Sequence, residues 1–166
     1  MTKNPISRRS ALTFLGAGAS IPILAACGGS EAHAQQNFRV SYSEAEWRRR
    51  LTRMEFRVLR EHATERPFSS PLDDESRRGT FHCQGCGNRL FSSAHKFDSG
   101  TGWPSFWQPI DNGAVGYSTD RLLGYARTEE HCADCGGHLG HRFNDGPRPT
   151  GHRHCINGVA LEFRPA

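Results

Sequence analysis

Four cysteines stand in two C-x-x-C pairs, Cys83-Gln84-Gly85-Cys86-Gly87 and Cys132-Ala133-Asp134-Cys135-Gly136-Gly137, with 45 residues between them. A turn of that spacing puts two sulfurs on one side, and its glycines free the backbone so that amides can face the thiolates. Four thiolates in a tetrahedral array suit zinc and leave no position for water, which makes such a metal structural. At roughly 10–16 kcal/mol of apparent binding energy, a site of this kind can hold together a loop-rich domain with a thin core. Two other readings compete. Two disulfides would suit an oxidising compartment, but bonds within each C-x-x-C would leave the long excursion between the pairs unstapled. A thioredoxin-like redox pair would need a βαβ context, which the sequence lacks.

Cys155 stands apart, in His152-Arg153-His154-Cys155-Ile156-Asn157-Gly158. If this segment is extended, a period of two places Arg153, Cys155 and Asn157 on one face, about 7 Å apart. A guanidinium near a thiol favours the thiolate, which is the form a sulfur nucleophile needs. The plainer alternative is a small buried cysteine in a core strand, and Gly158 introduces a bulge that would end the shared face. Upstream, His138 and His141 would share a face only on a helix, against which Gly140 argues; a second metal site there stays open beside a solvated or hydrogen-bonded pair. Ser99-Gly100-Thr101-Gly102-Trp103-Pro104-Ser105-Phe106-Trp107 sets aromatics after two glycines. Trp103 either plugs the core under a loop or walls an apolar pocket.

The elements that must position these residues are short. Ser43-x-x-Glu46 and Thr52-x-x-Glu55 are capping boxes, each followed by helix-compatible sequence, so two short helices open the domain. From Pro67 onward, Gly, Pro, Ser, Asp and Asn interrupt small apolar clusters at Phe81, Leu90-Phe91, Val115, Leu122-Leu123, Leu139 and Val159-Leu161-Phe163. That pattern predicts antiparallel β structure with long loops. The first 34 residues have a different character. Arg8-Arg9 precedes an interrupted apolar stretch from Ala11 to Ala26, too short to span a bilayer, which reads as a twin-arginine export signal. Leu24-Ala25-Ala26-Cys27 is a lipoprotein box, the favoured exit, and Ala32-His33-Ala34 is an alternative cleavage site. The chain is therefore expected to be exported, either periplasmic or anchored by lipid on the extracytoplasmic side, with residues 35–166 forming one zinc-containing catalytic domain.

The chain has 166 residues, with 21 Lys+Arg against 17 Asp+Glu. Removing residues 1–34 takes away three cations and one acid, leaving 18 against 16, nearly neutral. Acids interleave with the arginines, so no phosphate-tracking stripe forms and nucleic-acid binding is excluded as a first reading. The mean hydropathy of −0.65 excludes a polytopic membrane protein.

Gly102-Trp103-Pro104-Ser105-Phe106, His138-Leu139-Gly140-His141 and Cys155-Ile156-Asn157, interleaved in order with the two cysteine pairs, closely resemble the methionine sulfoxide reductase B family, peptide-methionine (R)-S-oxide reductases. Thr64 to Leu72, Lys96 to Gly100 and Asp145-Gly146-Pro147 agree as well, and the resemblance runs from about Trp47 to Phe163. It implies a mainly β fold of two antiparallel sheets with short N-terminal helices and one structural zinc per chain on Cys83, Cys86, Cys132 and Cys135. It implies that Cys155 attacks the sulfoxide sulfur of oxidised peptides or proteins, forming a sulfenic acid that a thioredoxin-like thiol returns to the reduced state. It further implies that His138, His141 and Asn157 surround the sulfoxide oxygen, that Arg153 supports the thiolate, and that Trp103 and Phe143 receive the substrate's methyl group. Three departures stand out: Thr101 where many members carry a resolving cysteine, His154 where tyrosine is common, and Tyr125 where methionine is common. A function of another class, a zinc-folded module that binds a peptide in the Trp103/Phe143 groove without turnover, would have no use for Cys155 beside Arg153.

Overall fold

The computed structural model describes residues 38–121 and 124–166. The expected export signal, Cys27 and the Leu122-Leu123 cluster lie outside the described residues.

Both capping boxes form. The Ser43 hydroxyl accepts from the Glu46 amide at 3.3 Å while the Glu46 carboxylate accepts from the Ser43 amide at 3.0 Å, opening α1 (Glu44–Arg50). Thr52 and Glu55 do the same at 3.4 and 2.7 Å for α2 (Arg53–Glu61). Each pairing satisfies two amides that the first helical turn leaves without partners. α2 ends at His62, which takes a left-handed conformation (φ 54°) and thereby turns its side chain away from the helix path. Trp47, Phe56, Val58 and Leu59 are buried from these helices.

The rest is antiparallel, in two sheets. The smaller contains β1 (Gly79–Cys83), β2 (Arg89–Ser92) and β9 (Leu161–Pro165), in the order β2-β1-β9. The larger contains β3 (Lys96–Phe97), β4 (Ser105–Phe106), β5 (Val115–Asp120), β6 (Arg127–Cys132), β7 (His138–Phe143) and β8 (Arg153–Ile156), in the order β3-β4-β8-β7-β6-β5. Phenylalanines join them. Phe106 of β4 stacks on Phe91 of β2 at 4.4 Å between ring centres and meets Phe81 of β1 edge-on at 5.0 Å. Because side chains alternate along a strand, Ser105 then points to the opposite side of the larger sheet from Phe106, the side on which its register partner Cys155 also lies.

Two details depart from the sequence reading. His138 and His141 lie on a strand, yet they do share a face. Across β6 and β7, Glu130 pairs with Gly140 and His131 with His138, so β7 holds one extra residue, Leu139. This bulge reverses the side-chain alternation and brings the two imidazole centres to 5.4 Å. Gly158 does not form a bulge but opens a 3-10 turn, Gly158–Ala160, that leads into β9.

Candidate active site

The cysteine pairs sit on matched turns. The Gly87 amide donates to the Cys83 carbonyl and the Gly136 amide to the Cys132 carbonyl, both at 2.8 Å, and both glycines have positive φ (77° and 67°). All four sulfurs lie within 4.8 Å of one another, with Cys83–Cys135 at 3.7 Å and Cys86–Cys132 at 3.6 Å. A tetrahedron with ~2.3 Å metal–sulfur arms has edges of about 3.8 Å, so the set fits one metal ion. The five described cysteines are free thiols, and the competing disulfide reading does not hold. Hydrogen bonds among the thiols together with burial push the Cys83 thiol well above its usual range. A divalent cation is what would let four thiolates coexist.

Strand register assembles the second site. Cys155 of β8 pairs directly with Ser105 of β4 on one side and His141 of β7 on the other. His141 pairs in turn with Glu129 of β6, and Glu129 with Ser118 of β5. Five strands thus present one polar row, with the thiol second and an imidazole beside it. Gly140 permits the approach of β7 to β8 at this point, since a Cβ there would stand 2.0 Å from the Cys155 carbonyl oxygen.

Above the row is a pocket of about 150 Å³ whose lining includes Trp103, Phe143, His141, Cys155, Asn157 and Arg127. Two aromatic walls, a thiol and three polar groups converge on a space suited to a small, partly apolar group. Asn157 shares the Cys155 face although β8 ends at Ile156. Its carboxamide donates to the Leu139 carbonyl at 2.9 Å and accepts from the Glu65 amide at 2.9 Å. Trp103 lines the pocket rather than plugging the core, and its indole N–H donates to the Glu65 carbonyl at 3.3 Å.

Two of the expected residues stand outside this lining. Arg153 forms a two-point ion pair with Asp145, at 2.9 and 2.8 Å, and its guanidinium lies 4.5 Å over the Phe143 ring. From there it acts on Cys155 through its charge. His138 lines a neighbouring cleft of about 620 Å³, which shares Thr64, Arg127 and His141 with the pocket. Its Nδ1 lies 2.7 Å from Glu129 Oε1.

Burial pushes the Cys155 thiol up, and the Arg153 charge and the Thr101 hydroxyl pull it back only in part. The guanidinium works in the direction the sequence suggested, but desolvation wins. Burial likewise depresses the His141 imidazole, against the hydrogen bond from His141 Nε2 to Asp120 Oδ2 at 2.8 Å. Thr101 belongs to a hydroxyl chain: Ser99 Oγ lies 2.8 Å from both Thr101 Oγ1 and Ser105 Oγ.

Sequence reasoning missed Glu65, Asp120, Arg127 and Glu129. Glu65 supports Asn157 and Trp103, and its carboxylate accepts from the amides of Gly158 and Val159. Asp120 pairs with both Arg127 and His141. No motif marks Asp120, Arg127 or Glu129, and Glu65 lies in the Thr64 to Leu72 segment without a role that its position alone would suggest. Only the register of β5, β6 and β7, and the fold of the 64–72 loop onto the site, brings them in.

Residues 51–165 match the SelR domain family. The peptide methionine sulfoxide reductase MsrB of Agrobacterium fabrum is 50% identical over 127 residues, covering 76% of this chain and 94% of that protein. The MsrB of Bradyrhizobium diazoefficiens is 54% identical over 127 residues, with 76% and 91% covered. That of Leptospira interrogans is 48% identical over 128 residues, with 77% and 98% covered.

Proposed function

The chain belongs to the methionine sulfoxide reductase B family, the peptide-methionine (R)-S-oxide reductases, and from that premise we propose that Cys155 carries the reduction as its nucleophile. The observation that supports this most directly is the pocket itself, which sets the Cys155 sulfur between the aromatic walls of Trp103 and Phe143 and the polar groups of His141 and Asn157. A methyl sulfoxide has an apolar methyl group and a strongly polar oxygen on one sulfur, and these two halves need opposed surroundings.

The Cys155 thiol gives up its proton as its sulfur attacks the sulfoxide sulfur, a proton reaches the sulfoxide oxygen, and the sulfur–oxygen bond breaks as oxygen passes to Cys155. Methionine leaves with two more electrons than the sulfoxide, and Cys155 remains as a sulfenic acid. His141 relays that proton: burial favours its neutral imidazole, which can accept the thiol proton, the imidazolium so formed is a strong acid toward the sulfoxide oxygen, and Asp120 fixes the ring. Asn157 and Arg127 face the developing charge from the same pocket. His138 acts one step away, orienting His141 through their edge-on contact. Arg153 and Thr101 offset part of the burial of the thiol.

Recycling requires an external thiol, by the following count of sulfur. Of the six cysteines, four converge on the metal set, Cys27 is acylated or removed with the export signal, and Cys155 is the nucleophile, while Thr101 cannot form a disulfide. A thiol condenses with the sulfenic acid, releasing water, and a second thiol of a thioredoxin-like donor frees Cys155. The ion on Cys83, Cys86, Cys132 and Cys135 is zinc, since four thiolates favour it. It would brace two turns that join the sheets. Residues 1–34 direct export, with Cys27 as a lipid-anchored N-terminus.

The mass of the protein after one turnover with excess peptide methionine (R)-sulfoxide and no reductant tests the mechanism. A gain of one oxygen on Cys155, trapped by a sulfenic-acid reagent, is expected, and Cys155→Ser should fold and turn over nothing. Loss of two hydrogens with release of the metal would overturn it, because a cysteine of the metal set would then be the resolver.

A further inference from the structure

Beside the pocket, three side chains from three separate elements converge on one point. His62 Nδ1 and His138 Nδ1 lie 2.9 and 2.7 Å from the same oxygen, Oε1 of Glu129. The three potential ligand atoms are all within 4.8 Å of one another. The two rings face each other with centres 5.1 Å apart and planes 38° from parallel. From this geometry we propose that His62, Glu129 and His138 bind a borderline divalent transition-metal ion such as Zn²⁺, at a second metal site distinct from the four cysteines.

Two imidazole nitrogens and one carboxylate oxygen are a donor set that zinc and its neighbours accept, and three protein ligands leave a coordination position open. Here two imidazole nitrogens approach one carboxylate oxygen, and an ion would take the place of the hydrogens between them, releasing protons as it binds. Several features keep the ligands in position. The other Glu129 oxygen accepts from the Ser118 hydroxyl at 2.6 Å, which fixes the carboxylate plane. His62 reaches the site because α2 ends in a left-handed residue, and its backbone amide is held by the Arg57 carbonyl. His138 reaches it because of the bulge at Leu139. Glu129 stays anionic: burial works against this, but hydrogen bonds from His138, His62 and Ser118 hold its carboxyl well below the usual range.

Access is asymmetric. The His138 side chain is 3% exposed and that of Glu129 11%, while that of His62 is 59% exposed, so an ion would enter from the His62 side. His62, Glu129 and His138 all line the cleft of about 620 Å³, which also holds Asp120 and His141. An ion there ties the end of α2 to β6 and β7 and clamps the ring that packs against His141.

The test uses the full chain with its cysteine site loaded with zinc. It is titrated with Zn²⁺, followed by calorimetry, and with Co²⁺, followed by absorption. A second equivalent of metal is expected, with a cobalt spectrum that lacks thiolate charge transfer. His62→Asn keeps a residue that tolerates the left-handed conformation and removes the imidazole; it should weaken the second equivalent by more than ~100-fold, beyond the 10–100-fold that loss of a supporting group costs. His138→Gln should do the same, and the first equivalent should be unaffected in both. The proposal fails if no second equivalent binds. It fails equally if the second equivalent survives both substitutions, or if it is abolished by Cys155→Ser, which would place the ion on the pocket thiol.

Discussion

Glu65 is buried, 4% exposed, and touches the site through both its main chain and its side chain. Its carboxylate accepts from the amides of Gly158 and, at 3.1 Å, Val159, immediately after Asn157. Replacing it with alanine leaves two amides without partners. A buried donor left unpaired costs ~1–3 kcal/mol; Gly158 is buried and bears the full cost, whereas Val159 is half-buried and recovers part from water. Glu65→Ala should therefore destabilise by about 3 kcal/mol, which for a domain of this size lowers Tm by roughly 12 °C. Glu65→Gln retains one carbonyl acceptor and should lose about half as much. Burial holds the Glu65 carboxyl above its ordinary range, against the two amide hydrogen bonds. The folded state thus binds this proton more tightly than the unfolded state, and the group's contribution grows as pH falls through the raised pKa toward the ordinary value. The stability gap between wild type and Glu65→Ala should widen over that interval. Glu65 is a positioning residue: its carboxylate anchors the Gly158–Val159 amides next to Asn157, and without that anchor the main-chain contacts of Glu65 to Asn157 and Trp103 loosen, so KM for a sulfoxide peptide should rise more than kcat falls. Calorimetric unfolding across pH together with steady-state kinetics checks this. A Tm drop under ~3 °C with unchanged KM would refute the reasoning.

The Cys155 thiol, raised by burial, should react with iodoacetamide at a rate that climbs about tenfold per pH unit without levelling near the ordinary thiol value of ~8.5. Arg153→Leu and Thr101→Val remove opposing influences and should slow alkylation at fixed pH; an unchanged rate would show that neither group acts on the sulfur. Removing the metal with a chelator, or Cys86→Ser, should cost folding rather than chemistry alone, read as loss of near-ultraviolet circular dichroism together with activity. Retention of a cooperative unfolding transition at the wild-type Tm would exclude a structural role for the ion. His154 Nδ1 and Glu130 Oε1 form a buried pair at 2.6 Å under the sheet, and His154→Phe should destabilise by ~3–5 kcal/mol by leaving the carboxylate uncompensated, with Glu130→Gln in the same chain recovering much of it. Equal unfolding midpoints for wild type and His154→Phe would show the pair to be neutral. Mass spectrometry of the mature N-terminus decides the export proposal: an acylated Cys27 supports the anchor, Gln35 as first residue means soluble export, and an intact Met1 excludes both.

Features written within a few residues of one another could be read from the sequence because their physics is local. The boxes at Ser43/Glu46 and Thr52/Glu55 satisfy helix-end amides through side chains three positions away, and they form as expected. The C-x-x-C turns need only a short reach and a glycine at positive φ. What could not be read is what two strands do to each other. His138 and His141 were expected to share a face only on a helix, yet one extra residue in β7 gives a strand the same result, and that residue is defined only by its pairing with β6. The effect of Arg153 on Cys155 could be inferred in sign from the spacing, but the burial that outweighs it arises only in the fold, where Trp103, Phe143 and Thr64 from separate segments line the pocket around the thiol. Asp120, Arg127 and Glu129 carry no motif because each acts on a residue of another strand. Glu129 shows the consequence most clearly. On the sequence it is one acid in a charged stretch. In the sheet it stands in the same row as Cys155, separated from it by His141, and ties His138 to the end of α2. The same register that sets an imidazole beside the thiol therefore also gathers the two imidazoles and the carboxylate of the proposed second metal site, and a substitution at Glu129 should disturb both.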